Sequence, residues 1–163
     1  LELKTAINGE AALAALRKFP EATQKQLRLA TKASLRDIQV SAQQNHAFVS
    51  RGGMAEKSIA PEANSSGLGG RVYLDTGLAD YAPFLHNGTG VHGPSGKPFP
   101  IQAKSGKALR FLAGGKFIFR RRVMNPGIKG DPFLYRAADR EEKNIGARFD
   151  KAVGAAIAEG GLA

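Results

Sequence analysis

The hydrophobic and polar positions change rhythm several times along this chain, and each change predicts an element. Leu1 to Ile7 alternates apolar and polar residues, which suits a short strand closed by Asn8-Gly9. From Ala11 to Phe19 the chain turns to Ala and Leu, predicting a first helix. Pro20 suits the first position of a second helix, where its missing N–H costs nothing. That second helix is expected over Pro20 to His46, with Leu27, Thr31, Leu35, Ile38 and Ala42 as an apolar stripe at steps of three and four. At 1.5 Å per residue such a rod is about 40 Å long, more than a compact domain of this size needs.

Alternation returns after Arg51-Gly52-Gly53. Ser58 to Pro61 and Gly70 to Leu74 predict a hairpin around Asn64-Ser65-Ser66-Gly67, and Gly77 to Leu85 suits one helical turn. Residues 87–100 are dense in Gly and Pro and are expected to form a flexible loop. Lys107 to Leu112 and Lys116 to Val123 make the strongest strand pair, turning at Ala113-Gly114-Gly115. Strict alternation puts Phe117 and Phe119 on a core face, Arg120 and Arg122 on the opposite, charged face, and Arg121 away from its two neighbours. Asp131 as cap and Pro132 as first residue then start a long helix with Leu134, Ala138, Ile145, Phe149, Val153 and Ile157 as its seam. The order predicts an α+β fold: two N-terminal helices, the second one long, a small antiparallel β-sheet of hairpins, and a long C-terminal helix. At 163 residues a single domain spanning 1–163 is expected.

Composition narrows the class. Hydrophobic residues at 42% and charged ones at 23% are globular values, so the chain is expected to fold despite its 20 glycines. The lack of cysteine excludes disulfides, thiolate metal sites and a cysteine nucleophile. No apolar run reaches the ~18 residues of a membrane span, and Leu1 to Gly9 does not read as an export signal.

Charge changes the picture more. The net charge is +10, yet residues 1–80 carry ten basic and eight acidic side chains, and residues 131–163 five and six. Between Asp80 and Asp131 lie fifty residues with nine cations and no carboxylate. Such a stretch stays solvated or meets an anionic surface.

Candidate catalytic motifs fail on context. Gly88-Thr89-Gly90-Val91-His92-Gly93 spells a dinucleotide-binding turn, but Pro94, Pro98 and Pro100 forbid the helix that must follow, and no acidic residue stands about twenty positions on. His86 and His92 lack metal-ligand spacing and read as surface or capping histidines. Ser50, Ser95 and Ser105 lack a nucleophile elbow. No catalytic constellation, metal site or cofactor is therefore expected. Clustered cations beside Phe111, Phe117 and Phe119 suggest a nucleic-acid groove. Alternation counts against it, by sending Phe117 and Phe119 to the face opposite Arg120 and Arg122.

Three ordered stretches carry a resemblance: Tyr81-Ala82-Pro83-Phe84-Leu85-His86-Asn87-Gly88-Thr89-Gly90; then Gly96-Lys97-Pro98-Phe99 and Lys107-Ala108-Leu109-Arg110-Phe111; then Asn125-Pro126-Gly127-Ile128-Lys129-Gly130-Asp131-Pro132-Phe133-Leu134. Over residues 79–138 the chain resembles the tail-completion, or neck, proteins of long-tailed double-stranded-DNA phages, the group that includes the lambda tail protein Z. The resemblance implies a non-enzymatic virion protein that forms a ring, sixfold in the virion. Its expected neighbours are further copies of itself, a tail tube or tail terminator protein, and a head connector or head-closure protein. The genome would pass through the lumen without specific binding. The expected location is the head–tail neck, reached from the host cytoplasm during assembly.

Within that frame Tyr81, Phe84, Gly88, Thr89, Gly90, Asp131, Pro132 and Phe133 are expected to be scaffold, with Phe133 and Leu134 anchoring the last helix to the sheet. Lys104, Lys107, Lys116, Arg120, Arg121 and Arg122 are expected to face an acidic neighbouring protein. The isolated chain is expected to be monomeric or weakly associated, because no long exposed apolar strip is visible in its sequence. The alternatives are a basic DNA- or RNA-binding accessory protein and, third, a metal-dependent hydrolase.

Overall fold

The computed structural model describes residues 9–104 and 106–160, with side chains from Phe19 onward. The strand expected over Leu1 to Ile7 lies outside the described residues, as does Ser105. Helices and small antiparallel sheets are mixed in one chain that ends in a long helix, so the α+β class holds. The contacts divide it into two compact units, residues 1–45, 59–73 and 134–163 in one, and 46–58 and 74–133 in the other.

The first unit contains α1 (Gly9–Gln44), the paired strands β1 (Ile59–Ala63) and β2 (Gly70–Leu74), and the C-terminal helix, α4 (Phe133–Glu159), the last element of the chain. One continuous helix replaces the two expected at the N-terminus, with Pro20 inside it. An interior proline deletes one i→i−4 hydrogen bond, a cost that packing on both sides of it offsets here. Just before Pro20, Phe19 sits beside Gly160, where an added Cβ would lie 3.3 Å from its ring; just after it, Ala22 is buried and Lys25 pairs with Glu159. The Thr23 hydroxyl also donates to the Phe19 carbonyl at 2.7 Å, within the turn that contains Pro20.

α1 and α4 run antiparallel, since Lys25 meets Glu159, Arg148 bonds Ser34 and Asp37, and Arg136 donates to the Asn45 carbonyl. Their buried positions are mostly small: Ala22, Ala30, Ser34, Ser41 and Ala42 on α1, and Ala137, Ala152 and Ala156 on α4. This corrects the expected seam of α4, in which Ala138 and Val153 are instead exposed. Small side chains let two helix backbones approach closely, so the alanine face turns inward and part of the larger apolar set is left to the flanks. Of the α1 stripe, Thr31, Leu35 and Ala42 are buried. Gln39 ties β1 to α1, its Nε2 donating to the Ile59 carbonyl at 2.6 Å.

The second unit begins with α2 (Met54–Lys57) and α3 (Ala82–Asn87), which share a small core of Ala55, Ala79 and Ala82 under Phe48, Leu74 and Leu85. His46 stacks on Phe48 with ring centroids 3.8 Å apart, and its Nε2 lies 3.3 Å from Glu56 Oε1. Burial raises the Glu56 pKa, but hydrogen bonds from Ser50 and its own backbone N–H, together with the His46 charge, outweigh this and hold it below the ordinary value.

Beyond a 3-10 turn at Gly90–His92 come four strands: β3 (Phe99–Gln102), β4 (Leu109–Ala113), β5 (Lys116–Arg120) and β6 (Arg122–Asn125). They form two separate antiparallel pairs, β3 with β6 and β4 with β5, the second nested in sequence inside the first. Gly114 and Gly115, with φ of 58° and 75°, make the two-residue turn between β4 and β5. The strand expected over Lys116 to Val123 is thus two strands, broken at Arg121. β3 overlaps the end of the loop expected over 87–100 and runs on to Gln102; a pair has only edges, and Pro100 is tolerated on one.

Candidate functional site

Two parts of the second unit bear on function. The first is a clasp that joins the two outer stretches of the resemblance, 81–90 and 125–134. The Thr89 N–H donates to the Ile128 carbonyl at 2.9 Å and the Val91 N–H to the Pro126 carbonyl at 2.8 Å, while the Ile128 N–H returns to the Thr89 hydroxyl at 3.0 Å. Leu85 accepts from the Asp131 N–H at 2.9 Å. The two backbones meet where side chains cannot fit: a Cβ on Gly90 would sit 2.1 Å from the Pro126 oxygen, and one on Gly127 2.0 Å from the Thr89 oxygen. Both glycines also have positive φ, 62° and 94°.

Phe133 is fully buried beside this clasp, edge-on to Phe48 at 5.1 to 5.3 Å centroid distances shared with His86. Its ring thus packs on Phe48 and His86, not on the sheet expected for it. One carboxylate oxygen of Asp131 accepts from the Ala47 N–H, so this residue ties the 46–48 segment to the clasp as well as preceding the helix. His86 is buried, with Nδ1 2.9 Å from Asn87 Oδ1, which corrects the expectation of a surface or capping histidine; His92 is exposed. Gly88, Thr89, Gly90, Asp131 and Phe133 thus come together, whereas Tyr81 and Phe84 point outward at 45% and 56% exposure and Pro132 is exposed.

The second part is the arm, 99–125, built of the β3–β6 and β4–β5 pairs. Lys104, Lys107, Lys116, Arg120, Arg121 and Arg122 are all exposed on it. Arg120 closes β5 opposite Leu109, Arg122 opens β6 opposite Gln102, and Arg121 lies in the bend between them, its carbonyl accepting from the Ala103 N–H at 3.3 Å. Arg120 and Arg122 line one cleft of about 710 Å3 with Ile101, Phe111, Ile118 and Val123.

The register keeps Phe117 and Phe119 on the face opposite Arg120, but that face is not a core and carries a cation of its own. In the observed register Arg110 stands opposite Phe119 and Leu112 opposite Phe117, so these four share the other face of the hairpin. Leu112, Phe117 and Phe119 are 64%, 59% and 58% exposed, not core, and the Arg110 guanidinium lies 4.5 Å over the Phe117 ring. A two-stranded pair has one face too many for the neighbours it has, and the sequence signal for this was present: apolar residues at both parities of β4 and β5. An exposed apolar strip therefore exists where none was expected.

Among the described residues no three His, Cys, Asp or Glu side chains gather in a metal-binding group, and no helix is long and apolar enough to cross a membrane. No protein-family description, curated protein or solved structure matches the chain.

Proposed function

We propose that this chain is a structural subunit of a phage neck, a ring-forming tail-completion protein that joins the tail tube to the head connector. The reading starts from the resemblance over residues 79–138. The observation that carries its interface role is the arm: its cations are exposed, and residues 81–130 contain no carboxylate to pair them. Cations so placed can pair with carboxylates of a neighbouring protein, which sets docking register and association rate. Tight phosphate binding would oppose genome passage, because each neutralised phosphate strengthens retention and a ring multiplies the effect.

The experiment is the triple substitution Arg120→Glu, Arg121→Glu and Arg122→Glu in the producing phage. Separate tails and filled heads in electron micrographs are expected; normally joined particles would remove the reading.

A nucleic-acid-binding accessory protein is the second reading, and one observation favours it. Phe117 and Phe119 are exposed on the same face as Arg110, the combination that single-stranded nucleic acid uses for stacking. It requires that the purified chain retain DNA near physiological salt, with a steep salt dependence that the triple variant loses.

A further inference from the structure

We infer that the outer face of the β4–β5 hairpin docks a second copy of this chain, through the acidic stripe of that copy's α4. The inference rests on the reading of the chain as a ring subunit and names the contact between neighbours. Three observations lead to it.

The first is the face itself. Leu112, Phe117 and Phe119 form an exposed apolar strip on a two-stranded pair, an arrangement that is marginal in water until something covers it. The second is charge. Every charged residue from Lys97 to Lys129 is basic, so hairpin against hairpin would set like charges face to face, and a two-fold contact through this surface is disfavoured. The occupant must bring carboxylates. Arg110 covers one face of the Phe117 ring, where a base would otherwise stack, and its N–H edges suit a carboxylate's two oxygens.

The third observation is the complement on the same chain. Tyr135, Asp139, Glu142, Gly146, Asp150 and Val153 follow one another along α4 at steps of three and four, and all are exposed. They make one stripe with three carboxylates, an aromatic at one end and an aliphatic at the other. A contact between two different surfaces of identical chains is heterologous, and such contacts close into rings when the rotation allows.

The test uses the full chain and two folded variants, checked by circular dichroism. One carries Arg110→Glu on the outer face of the hairpin; the other carries Asp139→Lys and Glu142→Lys in α4. Sedimentation velocity at low salt over a wide concentration range is expected to show self-association of the wild type, weakened at least about tenfold in either variant alone. Mixing the two variants should restore it, because the acidic hairpin of one meets the basic helix of the other and the reverse contact forms as well. A wild type that stays monomeric throughout, or a mixture that associates no better than its components, overturns the inference. So does capture of a single-stranded DNA oligonucleotide that Phe117→Ala with Phe119→Ala abolishes, which would give the surface to nucleic acid. None of these results decides head–tail joining, which the particle experiment above reads separately.

Discussion

The clasp and the arm belong to the same carboxylate-poor stretch of chain, yet they are built on opposite principles. In the clasp, backbone meets backbone: Gly90 and Gly127 leave no room for a Cβ, and the hydrogen bonds of Thr89, Val91 and Asp131 are made within the unit. In the arm, side chains of both parities are large, and a two-stranded pair cannot bury both sets. The clasp is complete in a single chain. The arm leaves Leu112, Phe117 and Phe119 exposed. Backbone contact closes the one, whereas the other presents its side chains to solvent.

Substitutions can break this contrast in order of size. The largest effect is expected at the clasp: Gly90→Val or Gly127→Val forces a branched side chain into a carbonyl oxygen at a positive φ, so a loss above about 4 kcal/mol is expected in urea denaturation. A loss under about 1 kcal/mol would show that the two segments separate easily. Phe133→Ala should follow at about 3–5 kcal/mol, since it empties a fully buried ring site between Phe48 and His86. His86→Ala removes the buried ring packed edge-on against Phe133 and should cost about 1–3 kcal/mol, whereas His92→Ala should be near neutral by the same measurement.

A smaller effect depends on pH. The Glu56 carboxyl has a folded pKa below its ordinary value, so it contributes stability above the ordinary carboxylate range. That contribution fades as pH falls through about 4.3 toward the lowered folded value. Thermal midpoints of the wild type and Glu56→Gln should therefore converge as pH drops from about 7 to about 3; a constant gap would show that Glu56 does not titrate with folding. The smallest effect on stability is expected at the arm. Phe117→Ser with Phe119→Ser should change the unfolding free energy by no more than about 0.5 kcal/mol each, because both rings are more than half exposed. A large loss would mean that the arm is covered within the chain, and the contrast with the clasp would disappear.

Periodicity was enough to determine the α+β class, the length of the last helix, the β1–β2 and β4–β5 pairs and the turn at Gly114-Gly115, because these depend on local rhythm and turn chemistry. Charge counting along the chain likewise isolated the basic stretch. Three features were decided only by tertiary structure. Pro20 could begin a helix or lie inside one, and contacts of Phe19, Ala22 and Lys25 beyond their own turn chose the second. The face of α4 that turns inward depended on how closely α1 approaches, which favours alanines over the larger residues the pattern selects. Above all, alternation sorts the side chains of a strand into two faces but cannot say which face, if either, has a neighbour. The chemistry of Phe117 and Phe119 suits a core, and the pairing of β5 with β4 alone leaves them exposed beside Arg110.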